Sequence, residues 1–208
     1  MFSKDGFIIM SVNYSVLMSV YYKERPDYLR QSMQSIYDQT VPTDDFVLVC
    51  DGPLTPELDA VIADMQQQFG PCLHVCRLLK NGGLGKALNF GIQQCKNDLV
   101  ARMDSDDVSR SNRCERQLAV FEKHPEYSLG SGIVEEFSDT IEHVSVRRIV
   151  PEQQADIIAF AKKRNPFNHP CVMYKKKRCR SCRRISGLLS IRRLLPLDPH
   201  APTRIHRL

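Results

Sequence analysis

With 208 residues, 42% hydrophobic and 25% charged, the chain has the size and composition of one globular domain, which excludes disordered and fibrous classes. No apolar run reaches the roughly eighteen residues of a membrane span, and no secretory leader is expected, so the eight cysteines predict reduced thiols in a cytoplasmic protein. The net charge of +5 is unevenly spread: residues 177–208 hold nine Lys/Arg and one Asp, whereas residues 1–176 hold twenty Lys/Arg and twenty-three Asp/Glu.

Residues 1–12 carry little pattern and form an N-terminal extension, within which Met10 is an alternative start. Ser15–Val20 reads as a buried strand leading into Tyr21-Tyr22-Lys23-Glu24-Arg25-Pro26. A helix is expected over Asp27–Tyr37, with Leu29, Met33 and Ile36 on one face. Phe46–Cys50 is a second strand, ending in Asp51-Gly52-Pro53. Thr55 is placed to cap the next helix and Pro56 to open it, and Leu58, Val61, Ile62 and Met65 supply its apolar stripe. Leu73–Arg77 is a third strand, and Asn81-Gly82-Gly83-Leu84-Gly85-Lys86 opens a helix running to about Cys95. A short buried strand follows around Leu99, Val100 and Met103, then a helix from about Asn112 to His124. Ser128–Val134 reads as one more strand, and Pro151–Arg164 contains a helix. Strands alternating with helices predict an α/β fold: a mostly parallel central sheet built from βαβ units and flanked by helices.

The organising feature is Ala101-Arg102-Met103-Asp104-Ser105-Asp106-Asp107, in which a strand ends in Asp-x-Asp. Ligands of α/β sheets gather at the carboxyl ends of strands, and paired carboxylates suit a hard cation such as Mg²⁺ or Mn²⁺ shared with substrate phosphates. The plainer alternative is an acidic loop. Asp51 can accept a hydrogen bond from a base N–H, or can be an ordinary turn residue. Asn81–Lys86 lacks the Walker spacing, since Lys80 stands where a glycine is needed and Ala87 where Ser or Thr is needed. Its glycines still open a helix whose free N–H groups suit an anion, with Lys86 adding charge. Asn165-Pro166-Phe167-Asn168-His169-Pro170 is a polar loop without a metal partner in sequence, and a single Cys179-x-x-Cys182 makes a poor zinc site. The Arg-rich tail lacks interleaved aromatics, so no nucleic-acid partner is expected.

In order, these segments are Tyr21-x-x-Glu24, Asp51-Gly52, Asn81-Gly82-Gly83-x-Gly85-Lys86-Ala87-x-Asn89, Asp104-x-Asp106 and Asn168-His169-Pro170. Over about residues 13–176 their order and spacing resemble family 2 glycosyltransferases, most closely the bacterial enzymes that build cell-surface polysaccharide. The resemblance implies a GT-A fold and inverting transfer of a sugar from a nucleotide-diphospho-sugar to a glycan or lipid-linked acceptor. Tyr21, Glu24, Asp51, Asn81, Lys86 and Asp104 would bind the nucleotide-sugar, and Asp106 would ligate Mg²⁺ or Mn²⁺. Asn168 and His169 would lie on the acceptor side. Work on a lipid-linked glycan implies peripheral contact with the inner face of the plasma membrane.

No catalytic residue is assigned, because the Glu-Asp base segment expected beyond Asn-His-Pro is absent; after Tyr174 the only acidic residue is Asp198. Inversion needs a carboxylate to take the acceptor's proton. A frameshift accounts for both the missing base and the basic tail. Were Lys175–Arg178 encoded by AAA AAA AAG CGC, deleting one A would let compatible codons read SAVEAAGGYQDFYLFEDYYLWIRML, which contains a Gly-Gly-Tyr turn and a Glu-Asp pair. The expected layout is therefore an extension over 1–12, an incomplete GT-A domain over 13–176 and a non-native tail over 177–208. An enzyme of this kind, truncated, is expected to turn over poorly. Two alternatives remain at this point: a nucleotidyltransferase acting on a sugar phosphate, and a non-enzymatic, basic-tailed nucleic-acid or membrane binder.

Overall fold

The computed structural model describes residues 13–138 and 143–177, and the backbone of 202–207. The extension over 1–12, the Cys179-x-x-Cys182 pair and Asp198 lie outside the described residues.

Four parallel strands carry the fold: β1 (Tyr14–Val20), β2 (Asp45–Cys50), β3 (Leu73–Arg77) and β4 (Leu99–Asp104). Helices α1 (Pro26–Tyr37), α2 (Pro56–Phe69) and α3 (Leu84–Gln94) connect them. The sheet order is β3-β2-β1-β4, extended by β9 (Met173–Lys175) and β6 (Leu129–Gly130). β9 runs antiparallel to both β4 and β6. The apolar runs of β1, β2 and β4 are continuous because both sheet faces are covered. Val16, Met18, Phe46, Leu48, Ala101 and Met103 join a core shared with α1, α2 and α4 (Arg113–Lys123). The alternate residues Leu17, Val47, Val49 and Val100 join a second core with α3 and α5 (Gln154–Ala161).

The Thr55 hydroxyl caps α2 by accepting from Leu58 N, and the stripe read from the sequence is buried. The strand expected over Ser128–Val134 divides instead. It becomes β6 in the main sheet and β7 (Ile133–Phe137) in a second sheet, with the break at Ser131-Gly132. Ser131 Oγ there donates to Asn168 O and accepts from Asn168 N, fixing a corner rather than a ladder. The second sheet is ordered β5 (Val108–Ser109), β10 (Pro202–Arg207), β7, β8 (Val144–Arg148). Its β10 places tail backbone between β5 and β7, where the sequence offered no strand. Among the described residues no helix is long and apolar enough to cross a membrane.

Candidate active site

From β1 the chain winds outward through β2 and β3, then returns to place β4 on the other side of β1. This is the switch point at which doubly wound sheets form a crevice. Register puts Ser19 beside Asp104 and Val20 beside Cys50, so the segments after β1, β2 and β4 leave one edge together.

After β1, Glu24 N donates to Tyr21 O at 3.0 Å, closing a turn. The Glu24 carboxylate accepts from Arg25 N at 2.9 Å and from the Ser105 hydroxyl, which ties the first segment to the acidic loop. Burial pushes the Glu24 carboxyl above its ordinary range, and the charges of Asp106 and Asp104 add to this against its hydrogen bonds. Tyr21 is exposed and meets Tyr22 edge to face at 5.8 Å.

After β2, buried Asp51 accepts Gly82 N on one oxygen at 2.7 Å and Gly83 N on the other at 2.8 Å. Asn81 Nδ2 donates to Asp51 O at 3.1 Å. Asp51 thus holds the turn that opens α3. Gly52 adopts φ +90°, and a Cβ there would stand 2.6 Å from Asn81 N, so only glycine fits the crossing. The Lys86 stem packs over Gly82.

After β4, ligand oxygens of Asp104, Asp106 and Asp107 lie within 4.8 Å of one another. Asp106 is exposed and Asp107 buried. Three hard oxygen donors at this spacing fit a divalent cation of the Mg²⁺ or Mn²⁺ kind. Ser32 Oγ, from α1, donates to Asp104 O at 2.8 Å. Arg102, inside the same strand and 3% exposed, directs both terminal nitrogens to the Asp104 carboxylate. A fully buried Arg113 on α4 braces this strand end, donating to Arg102 O at 2.7 Å and to Gln117 Oε1 at 3.2 Å. Gln117 Nε2 in turn donates to Cys171 O at 2.8 Å.

That last bond brings in the Asn-His-Pro segment, which forms a 3₁₀ turn over His169–Cys171. Burial lowers His169 to about 4, the nearby Arg102 guanidinium adding to the effect and Asp104 opposing it. The imidazole is therefore neutral at pH 7 and lies near the Arg102–Asp104 pair. Asn168 faces the other way: its Nδ2 donates to Gly132 O at 2.8 Å and Arg148 O at 2.9 Å, stapling the corner to β8.

Tyr21, Glu24, Asp104, Asp106 and His169 gather around the crevice, with Asp51, Asn81 and Lys86 one strand further along the same edge. Asn168 is adjacent in chain, but its amide donors are engaged in the scaffold. Sequence reasoning missed Arg113 and Gln117, and gave no role to Arg102, Ser105 or Asp107 although they stand within the organising stretch. An arginine within an otherwise apolar strand, and an Arg-Gln pair at i, i+4 on the buried face of a helix, were the available signals.

Comparison with known proteins agrees with this construction. The family model described as glycosyl transferase family 2 matches residues 15–180. A glycosyltransferase of Haemophilus influenzae is 41% identical over 171 residues, covering 82% of this chain and 63% of that protein. The amylovoran biosynthesis glycosyltransferase AmsE of Erwinia amylovora is 44% identical, covering 78% and 60%. The UDP-Gal:alpha-D-GlcNAc-diphosphoundecaprenol beta-1,3-galactosyltransferase of Escherichia coli is 41% identical, covering 78% and 58%. The chain thus spans about three fifths of the length of these relatives.

Among solved structures, S. aureus TarS in complex with UDP superposes with a TM-score of 0.69 at 18% identity, covering 94% of this chain and 60% of that one. A Pyrobaculum calidifontis mannosyltransferase in complex with GDP-Man and Mn²⁺ gives 0.67 at 12%, covering 93% and 56%. These likenesses show the GT-A fold. A sheet edge of this topology, relatives above 40% identity and a family match across most of the chain agree: the chain belongs to glycosyl transferase family 2.

Proposed function

We propose that residues 13–176 are the donor-binding domain of an inverting, divalent-metal-dependent glycosyltransferase. The donor is a nucleotide-diphospho-sugar, and the acceptor a lipid-linked glycan in surface polysaccharide synthesis at the cytoplasmic face of the membrane. The observation that carries this reading is the convergence of Glu24, Asp104, Asp106 and Asp107 on the β1/β4 crevice, with Asp51 and the α3 N-terminus beside it. Support for the acceptor class comes from the E. coli relative, whose name specifies a diphosphoundecaprenol-linked sugar.

In this reading the turn held by Asp51 lines the nucleotide side together with Tyr21, Asn81 and Lys86. Asp104 orients the donor, and Asp106 holds the cation. When bound, Mg²⁺ or Mn²⁺ supplies positive charge beside the diphosphate as it leaves. His169, uncharged and half-buried, borders the acceptor side with Asn168. The base carboxylate belongs to a Glu-Asp segment outside residues 13–176, so the 208-residue chain binds donor without turning it over.

Calorimetric titration of UDP and GDP in the presence and absence of Mn²⁺ tests the binding half. Metal-dependent binding lost in Asp106→Asn is the expected result, and binding indifferent to both metal and this substitution would overturn the reading. A product assay on a chain carrying the Glu-Asp segment tests the chemistry. Release of nucleoside diphosphate supports sugar transfer, whereas release of pyrophosphate from a nucleoside triphosphate would identify a nucleotidyltransferase instead.

A further inference from the structure

Buried polar side chains need hydrogen-bond partners, and α1 carries a row of them. Ser32, Ser35 and Gln39 are 0%, 8% and 5% exposed. They stand at i, i+3 and i+7, along one face of α1 and just past its last residue. All three reach beyond the helix. Ser32 Oγ donates to Asp104 O at 2.8 Å, and Ser35 Oγ accepts from Ser109 N at 2.9 Å. Gln39 Nε2 donates to Arg110 O at 2.8 Å and stands 3.2 Å from Ser109 Oγ, while its Oε1 accepts from Cys114 N at 3.0 Å. Main chain continues the row, with Thr40 N donating to Ser111 O at 2.8 Å. The chain after β4 therefore runs along α1 in the same order as the residues that hold it. Within this stretch β5 supplies only two residues of ladder, so α1 satisfies backbone groups that a neighbouring strand would satisfy elsewhere in a sheet.

The geometry points to Ser35 and Gln39 as positioning residues for the acidic loop. They moor its downstream end at Ser109 and Arg110, as Ser32 moors its upstream end at Asp104. Between the two moorings stand Ser105 to Val108, with the exposed Asp106 among them. A span fixed at one end only samples more conformations than a span fixed at both, and the entropy lost when a ligand orders it is subtracted from affinity. Holding both ends therefore preorganises the loop, although neither Ser35 nor Gln39 contacts the ligand itself. Their effect passes through Ser109 and Arg110. This inference rests on the proposed reading of the crevice as a metal and nucleotide-sugar site.

The test is Mn²⁺ binding to the full chain with UDP present, followed by electron paramagnetic resonance well below the unfolding temperature. Ser35→Ala and Gln39→Met should each weaken Mn²⁺ binding by about five- to tenfold. Ser35→Ala removes one hydroxyl from a helix that favours alanine, so this arm does not depend on the larger change at Gln39 being tolerated. Ile62→Val supplies the comparison, because it trims α2 within the core that α1 shares. It should lower Tm yet leave Mn²⁺ affinity within about twofold of the unsubstituted chain. A merely structural role would make affinity follow Tm whichever residue is changed. A folded Ser35→Ala protein with Mn²⁺ affinity within about twofold of the unsubstituted chain overturns the inference. So does an Ile62→Val protein that loses as much affinity as Ser35→Ala for the same fall in Tm. Both results leave the crevice standing as a cation site. If the unsubstituted chain, folded by circular dichroism, takes up no Mn²⁺ even with UDP present, the reading of the crevice itself falls and the inference with it.

Discussion

His169 illustrates how one side chain records its surroundings in its proton affinity. Its folded value lies near 4 against 6.5 for the ordinary imidazole, because burial and the Arg102 charge both disfavour the cation. The unfolded chain therefore takes up the extra proton first, and the stability contributed by neutral His169 is complete above pH 6.5 and lost as the pH falls toward 4. Glu24 works in the opposite sense. Its carboxyl is raised in the fold, so its contribution is full below 4.5 and declines as the pH rises through the folded value. Urea unfolding at pH 7 and pH 4.5 should show His169→Gln losing less stability on acidification than the parent chain, by about 2 kcal/mol after allowance for the solvated part of the ring. An equal loss in both proteins would contradict this assignment. The carboxylates of the crevice were legible in the sequence because they stand where strands end. The residues that brace this strand end were not: Arg102 stands two positions before Asp104 in an otherwise apolar run, and Arg113 with Gln117 reaches its carbonyl only through the packing of α4 against β4.

Among the elements, β1 to β4 and their helices were legible because strands covered on both faces read as unbroken apolar runs, and because Thr55-Pro56 and the glycines before α3 announce helix starts. The second sheet was not. β8 exposes four of its five residues and shows no alternation, β9 has three residues, and the break at Ser131-Gly132 falls inside the span read as one strand, where Gly130-Ser131-Gly132 was its only mark. Close approaches between elements also leave little trace in sequence. On α3, a Cβ at Gly91 would overlap Leu17 Cδ1 and stand 2.7 Å from Val49 Cγ2, so this helix lies on the sheet with no room for a methyl group. Gly91→Ala should cost about 1–3 kcal/mol in thermal unfolding. Gly52→Ala meets main chain rather than side chain and must also adopt φ +90°. It should lower Tm by about 5–10 °C and weaken UDP binding together, because the displaced Asn81 belongs to the turn held by Asp51. A Gly52→Ala protein with unchanged Tm would contradict that geometry.

For the whole molecule, the acidic loop proposed to hold the cation is complete by Asp107, whereas the base is proposed to lie beyond Lys176. Binding and turnover are thereby separable along the chain. A protein in which the sequence after Lys176 is replaced by the restored-frame segment should turn over donor, while the 208-residue chain with Mn²⁺ binds UDP and does not. Equal turnover by the two would place the base within residues 13–176. Sequencing the gene across the Lys175–Arg178 codons supplies the complementary observation: a frame that excludes the Glu-Asp peptide would make the basic tail a genuine part of this protein.

The pairing of β9 with β4 has a consequence for synthesis on the ribosome. Leu99 finds its antiparallel partner in Lys175, so the outer edge of β4 emerges long before the strand that closes it. At about 5–20 residues per second the interval is on the order of 4–15 s. Throughout it a nascent parallel sheet presents open backbone beside its acidic loop, the arrangement most prone to strand exchange with a neighbouring chain. Chains halted before Met173 should accordingly precipitate or bind holdase chaperones, while those released just after Lys176 should remain dispersed.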